Sequence, residues 1–169
     1  MTIDVAALPS RCLIDTGVFV RWLGDHHGEE KAKHSIDFVQ AMLKAGKRLL
    51  VSSPTVAEAI RHKPGRTIPN TRNVEVVSFD DVAAGILGNN FHREVLVSAR
   101  DALGVPIDYI KYDAMIVACA SRHKAGTIVT LDGGVLELAK KLSPPLIAKF
   151  PNEFYLRQAT FAVIEGGVK

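Results

Sequence analysis

Tyr109-Ile110-Lys111-Tyr112-Asp113-Ala114-Met115-Ile116-Val117-Ala118-Cys119-Ala120, followed shortly by Thr127-Ile128-Val129-Thr130-Leu131-Asp132, decides the fold. In the first run Tyr109, Ile110, Tyr112, Ile116, Val117 and Ala120 mark one apolar stripe of a helix. The second run is short and rich in β-branched residues, as a strand buried on both faces should be. A helix feeding a buried strand is half of a βαβ unit.

The same alternation continues outward in both directions. Strands are expected at Arg11–Ile14, Leu49–Ser52, Val74–Ser78, Thr127–Leu131 and Leu146–Lys149. Ala32, Ile36, Val39 and Leu43 form the stripe of one helix. Ala83, Leu87, Phe91 and Val95, joined by Leu96, Ala99 and Leu103, predict a second helix. Asp80 is placed to cap that helix, and Asp108 to cap the one through Asp113. Strands alternating with helices predict a three-layer α/β/α architecture around a central parallel sheet of about five strands. We expect a single domain over residues 1–169, with its core at about 11–150. The tail 151–169 should be helical, chiefly Asn152–Glu165.

Composition narrows the class. With 169 residues, 47% apolar and 23% charged, the chain is a globular domain able to bury a core. The longest apolar run, Ala114–Ala120, is too short to span a membrane, and Met1–Pro9 lacks the pattern of a signal peptide. Cys12 and Cys119 each stand alone in apolar surroundings, which predicts buried free thiols and a cytoplasmic protein. The net charge of +3 is too small to name a partner. Arg61, His62, Lys63, Arg66 and Arg72, however, share a stretch without acids that also holds Pro64, Gly65, Pro69 and Asn70. It reads as a loop, either plainly solvated or facing phosphate through Arg61, Lys63 and Arg66.

Four acids stand where acids are costly. Asp15 ends the first strand, Asp132 ends the fourth, and Glu58 opens the helix after the second. Asp113 sits mid-helix among apolar neighbours. Each has a plain structural alternative: Asp15 fits an acceptor for the amides of the following loop, Thr55–Glu58 fits a capping box, and Asp132-Gly133 fits a turn. For Asp113 that alternative is weakest, because a helix interior offers it no local donor. In a parallel sheet, ligands gather beyond the carboxyl ends of the strands, where the strand order reverses. Four carboxylates at that rim, about 5 Å apart, would repel by ~3 kcal/mol per pair. No Lys or Arg adjoins them in sequence, apart from Lys111 two residues from Asp113. A hard divalent cation, Mg²⁺ or Mn²⁺, would resolve the conflict and supply the chemistry of phosphodiester hydrolysis.

Leu13-Ile14-Asp15-Thr16, Ser53-Pro54-Thr55-Val56-Ala57-Glu58, Tyr112-Asp113-Ala114-Met115-Ile116-Val117-Ala118 and Ile128-Val129-Thr130-Leu131-Asp132 together resemble the PIN-domain ribonucleases, and within them the VapC-type toxins of toxin–antitoxin pairs. The resemblance implies a metal-dependent endoribonuclease that leaves a 5′-phosphate and a 3′-hydroxyl. It implies Asp15, Glu58, Asp113 and Asp132 as the acidic site, with Asp15, Asp113 and Asp132 toward the metal. Thr16 and Thr130 are then supporting hydroxyls. It also implies an RNA substrate, a homodimer and a small antitoxin as partner. Many relatives carry a further acid or Asn where this chain has Gly133-Gly134, so one firmly held ion is expected.

Two other classes compete. One is a catalytically silent PIN-like domain that binds RNA or protein; the other is a PIN nuclease in RNA processing rather than toxicity. The Asp15-Thr16-Gly17 triplet also spells the aspartic-protease signature, but that chemistry needs two such carboxylates on an all-β scaffold. His26 and His27 lack the companions a zinc site requires. Trp22 and Phe19 are expected in the core rather than as a base-stacking platform.

Overall fold

The computed structural model describes residues 2–25, 28–69 and 71–156. The His26-His27 pair and the predicted tail beyond Leu156 lie outside the described residues.

Five parallel strands form the sheet: β1 (Arg11–Ile14), β2 (Arg48–Ser52), β3 (Val74–Val77), β4 (Thr127–Val129) and β5 (Ala148–Lys149). Their order is β3-β2-β1-β4-β5. The chain winds outward from β1 to β3, then returns to the other side of β1 for β4 and β5. The order therefore reverses between β1 and β4, which sets a crevice at their carboxyl ends.

Helices cover both faces: α1 (Thr16–Trp22), α2 (Glu30–Lys44), α3 (Ser53–His62), α4 (Asp81–Asn90), α5 (Arg93–Leu103), α6 (Ile107–Arg122) and α7 (Gly133–Lys141). The side-chain period of two in a strand divides the core. Cys12, Ile14, Leu49, Val51 and Val129 pack with Val18 and Phe19 of α1 and Phe38, Val39 and Met42 of α2. Leu13, Leu50 and Ile128 point the other way, against Phe91, Ile110, Val117 and Leu138. The expected three-layer α/β/α arrangement is thus present. Both free thiols, Cys12 and Cys119, are buried. Among the described residues, no helix is long and apolar enough to cross a membrane.

Several local expectations are corrected. The predicted single helix from Ala83 to Leu103 is two helices, because the chain breaks at Phe91 (φ −120°, ψ 51°) and His92 starts α5. Asp80 does cap α4, accepting from the Ala83 N–H at 2.9 Å. Asp108 does not cap α6: the extended Pro106 precedes it, and Asp108 falls in the first turn, bound to Lys111 Nζ at 3.0 Å. Ser52, rather than Thr55, caps α3, so Glu58 is not part of a capping box. Arg61 and His62 belong to α3 rather than to the loop that follows. The start of the tail is a 3-10 turn, Pro151–Phe154, in place of an α-helix. Tyr155 then bridges to Ile3, tying this end of the chain to the beginning.

Candidate active site

The crevice predicted by the strand order is a cleft of about 550 Å³. Asp15, Glu58, Asp113 and Asp132 all line it, as does Thr16. Each arrives from a different element, so the fold brings together acids that are far apart in sequence.

Asp15 is fixed most firmly. It follows β1, caps α1 and accepts from the Val18 N–H at 2.8 Å through Oδ1. Its Oδ2 accepts from the Leu131 N–H at 3.1 Å and from the Thr130 hydroxyl. Thr130 keeps its backbone N–H on the Lys149 carbonyl of β5 at 3.0 Å and reaches Asp15 with its hydroxyl, whereas Leu131 spends its backbone N–H on Asp15. Burial pushes the Asp15 carboxyl up to about 6, the three donors oppose that rise, and Asp132 adds to it.

Asp132 caps α7 through a 2.7 Å bond from the Gly134 N–H to Oδ1. Thr130 Oγ1 accepts from the Asp132 N–H at 2.8 Å, so one threonine braces both acids. A Cβ on Gly134 would stand 2.5 Å from Asp113 Oδ2 and 3.1 Å from Asp132 Oδ1. Asp113 and Asp132 therefore face each other across a position that only glycine leaves open. Asp113 projects from α6 and, among the described residues, meets no base. Burial pushes its carboxyl up to about 8, with Asp132, Asp15 and Glu58 each contributing by repulsion.

Glu58, on α3, makes a charge contact that the sequence reading overlooked. Arg61 NH2 lies 3.9 Å from Glu58 Oε1, one helical turn away. Arg61 thus offsets charge at one edge of the cleft. Arg66 does not face it as a phosphate contact would: its side chain is buried and paired with Asp25, to which Lys63 Nζ also comes within 3.7 Å.

The chemistry of the lining suits a hard cation. The donors are carboxylate oxygens, and the Thr16 hydroxyl is buried without a hydrogen-bond partner among the described residues. Among the described residues, no three potential ligands are drawn together tightly enough to make a finished metal shell.

Sequence reading missed Arg21, Lys31, His62, Tyr109 and Tyr112 on the same lining. Both tyrosines had been assigned to the apolar stripe of α6, yet Tyr109 is 62% and Tyr112 38% exposed. Part of their signal was available: Tyr109 lies four residues before Asp113 and so shares its side of the helix, and Tyr112 follows Tyr109 by three. Ile110 and Val117 carry the buried stripe instead.

Comparison with known proteins follows the same lines. No curated protein matches the sequence. Among solved structures, a chain of VapBC2 from Rickettsia felis, crystallised bound to a DNA fragment from their promoter, is similar in fold. The TM-score is 0.52 at 17% identity, over 82% of this chain and 97% of that one. The family profile described as PIN domain matches residues 12–141, from β1 to the last residue of α7. PIN domains are generally nucleases that use divalent metals. The chain belongs to the PIN-domain family.

Proposed function

We propose that this protein is a Mg²⁺- or Mn²⁺-dependent endoribonuclease of the VapC kind, acting in the cytoplasm as the toxin of a toxin–antitoxin pair. One observation carries the reading: Asp15, Asp113 and Asp132 line one cleft, and among the described residues no base touches Asp113. An acid so placed is costly unless a cation joins it.

Asp15, Asp113 and Asp132 would hold the ion, with the Thr16 hydroxyl available to a water beside it. When bound, the cation would supply Lewis acidity toward a phosphate oxygen and lower the pKa of a water. The chain's own residues set the frame. Thr130 and the amides of Val18 and Leu131 immobilise Asp15, so its charge is fixed before substrate arrives. Glu58 stands in the same cleft, where it can accept the proton of the attacking water. Attack on the phosphodiester would leave a 5′-phosphate and a 3′-hydroxyl. An antitoxin partner and pairing of two copies belong to the same reading, which the likeness in fold to a VapBC2 chain supports. The same chemistry would serve a nuclease in RNA processing.

Arg61 favours a second reading. By offsetting Glu58 it partly neutralises the cleft without metal, as a catalytically silent RNA- or protein-binding domain would require. Calorimetry with Mn²⁺ separates the two. The wild-type chain should bind at millimolar metal, and Asp113→Asn should bind far more weakly while cutting single-stranded RNA at least ~100-fold more slowly. A folded wild type that takes up no Mn²⁺ would establish the silent reading instead.

A further inference from the structure

We infer that Tyr109 and Tyr112 form a stacking rim for unpaired nucleotides of single-stranded RNA beside the acidic cleft, an inference that rests on the ribonuclease reading above. The two rings leave α6 three residues apart, which puts them on one side of the helix. Both line the cleft with Asp113 and Ile116. At 62% and 38% exposure they keep rings in water that a tyrosine normally buries. Neither phenol takes part in a hydrogen bond among the described residues. They do not brace the fold through their hydroxyls.

The surroundings favour a nucleobase. Arg61 lies 6.0 Å from the centroid of the Tyr112 ring, so an aromatic surface and a guanidinium are presented together. Lys31 and His62 line the same cleft. A floor of carboxylates repels a polyanion, so entry needs an attraction that does not depend on phosphate charge. Stacking provides it and tolerates any sequence, because every base has a π-face. A duplex hides those faces between its own pairs, so the rim should select unpaired RNA. Rim cations also suit a phosphodiester chain better than the basic tail of a protein.

The test uses a short single-stranded RNA carrying 2-aminopurine, and the same RNA annealed to its complement, in Ca²⁺ so that binding is read without turnover. Wild type should quench the probe and bind the single strand at least ~10-fold more tightly than the duplex. Tyr109→Ala and Tyr112→Ala should each weaken binding by about 5- to 100-fold and abolish the quenching. Tyr109→Phe and Tyr112→Phe should stay within about twofold of wild type, since stacking needs the ring and not the hydroxyl. Alanine variants that bind like wild type would overturn the rim and leave the nuclease reading standing; rings that serve a protein tail would give that result. Phenylalanine variants as weak as alanine ones would also overturn it, by assigning the effect to the hydroxyl. A wild type that binds neither RNA would remove the ribonuclease reading and the rim with it.

Discussion

Asp15 and Asp80 both follow a strand, both cap a helix, and both accept from the backbone N–H three residues on, Val18 at 2.8 Å and Ala83 at 2.9 Å. Their electrostatic states are opposite. Asp80 is partly buried with the Arg122 Nε 2.9 Å from Oδ2, and the Ala83 amide together with Arg122 holds its carboxyl below the usual range. Asp15 is 3% exposed, has no base beside it among the described residues, and is pushed up to about 6 in spite of three donors. Capping explains where each acid stands, and the partner decides its charge. Around Asp15 the fold has gathered more acids, Asp113 and Asp132 among them.

Gly134 offers the sharpest way to break that contrast. An added methyl at 2.5 Å from Asp113 Oδ2 must displace that carboxylate, while φ at this position lies outside the left-handed region and so tolerates alanine. Gly134→Ala should therefore fold normally and lose at least ~10-fold in Mn²⁺ affinity, the scale of disturbing one ligand's placement. Calorimetry and a thermal melt on the same sample check both halves. Unchanged affinity would mean that the approach of Asp113 to Asp132 is unnecessary for the ion.

Stability without metal sharpens the comparison further. The Asp113 carboxyl is raised from an ordinary value of 3.8 to about 8 in the folded chain. The folded state keeps a proton that the unfolded state releases, so this stabilising contribution is complete below about pH 4 and is lost as pH rises through about 8. In EDTA the wild-type Tm should fall between pH 5 and pH 8 by more than that of Asp113→Asn. The variant should be the more stable of the two at pH 8, by about 4 °C or more. Parallel profiles for the two proteins would show that Asp113 is already compensated.

The acids at the cleft were legible because burial and charge conflict in sequence as well as in space: Asp15 and Asp132 end apolar runs, and Asp113 interrupts one. The sheet was legible for a related reason, since strands covered on both faces carry apolar residues without interruption. Other features needed the third dimension. Ala83, Leu87, Phe91 and Val95 repeat every four residues, and on a helix of 3.6 residues per turn each step drifts by about 40°. Such a stripe leaves the core within a few turns, so the chain stops at Phe91 and starts α5 on a new axis. The acid-free stretch from Arg61 to Arg72 looked uniform because nothing local separates its bases. Arg66 meets Asp25 across 41 residues, a contact no spacing rule could supply. The cleft-facing tyrosines were misread because an aromatic at helical spacing signals burial equally well.

Asp80→Asn should have the smallest effect, and its sign should be the reverse of that of Asp113→Asn. Asparagine still caps α4, so the change removes the charge facing Arg122 and little else. The Asp80 carboxyl is held low, so its stabilising contribution is present above about pH 4 and is lost as pH falls through the depressed folded value. Melting at pH 7 in low salt should show a loss of about 2 °C or less, because both partners stay in contact with solvent at the surface. Moderate salt should erase even that difference by screening the pair. An Asp80→Asn variant that melts far lower, or one that gains stability as Asp113→Asn should, would mean that the exposed corner stores charge as the cleft does.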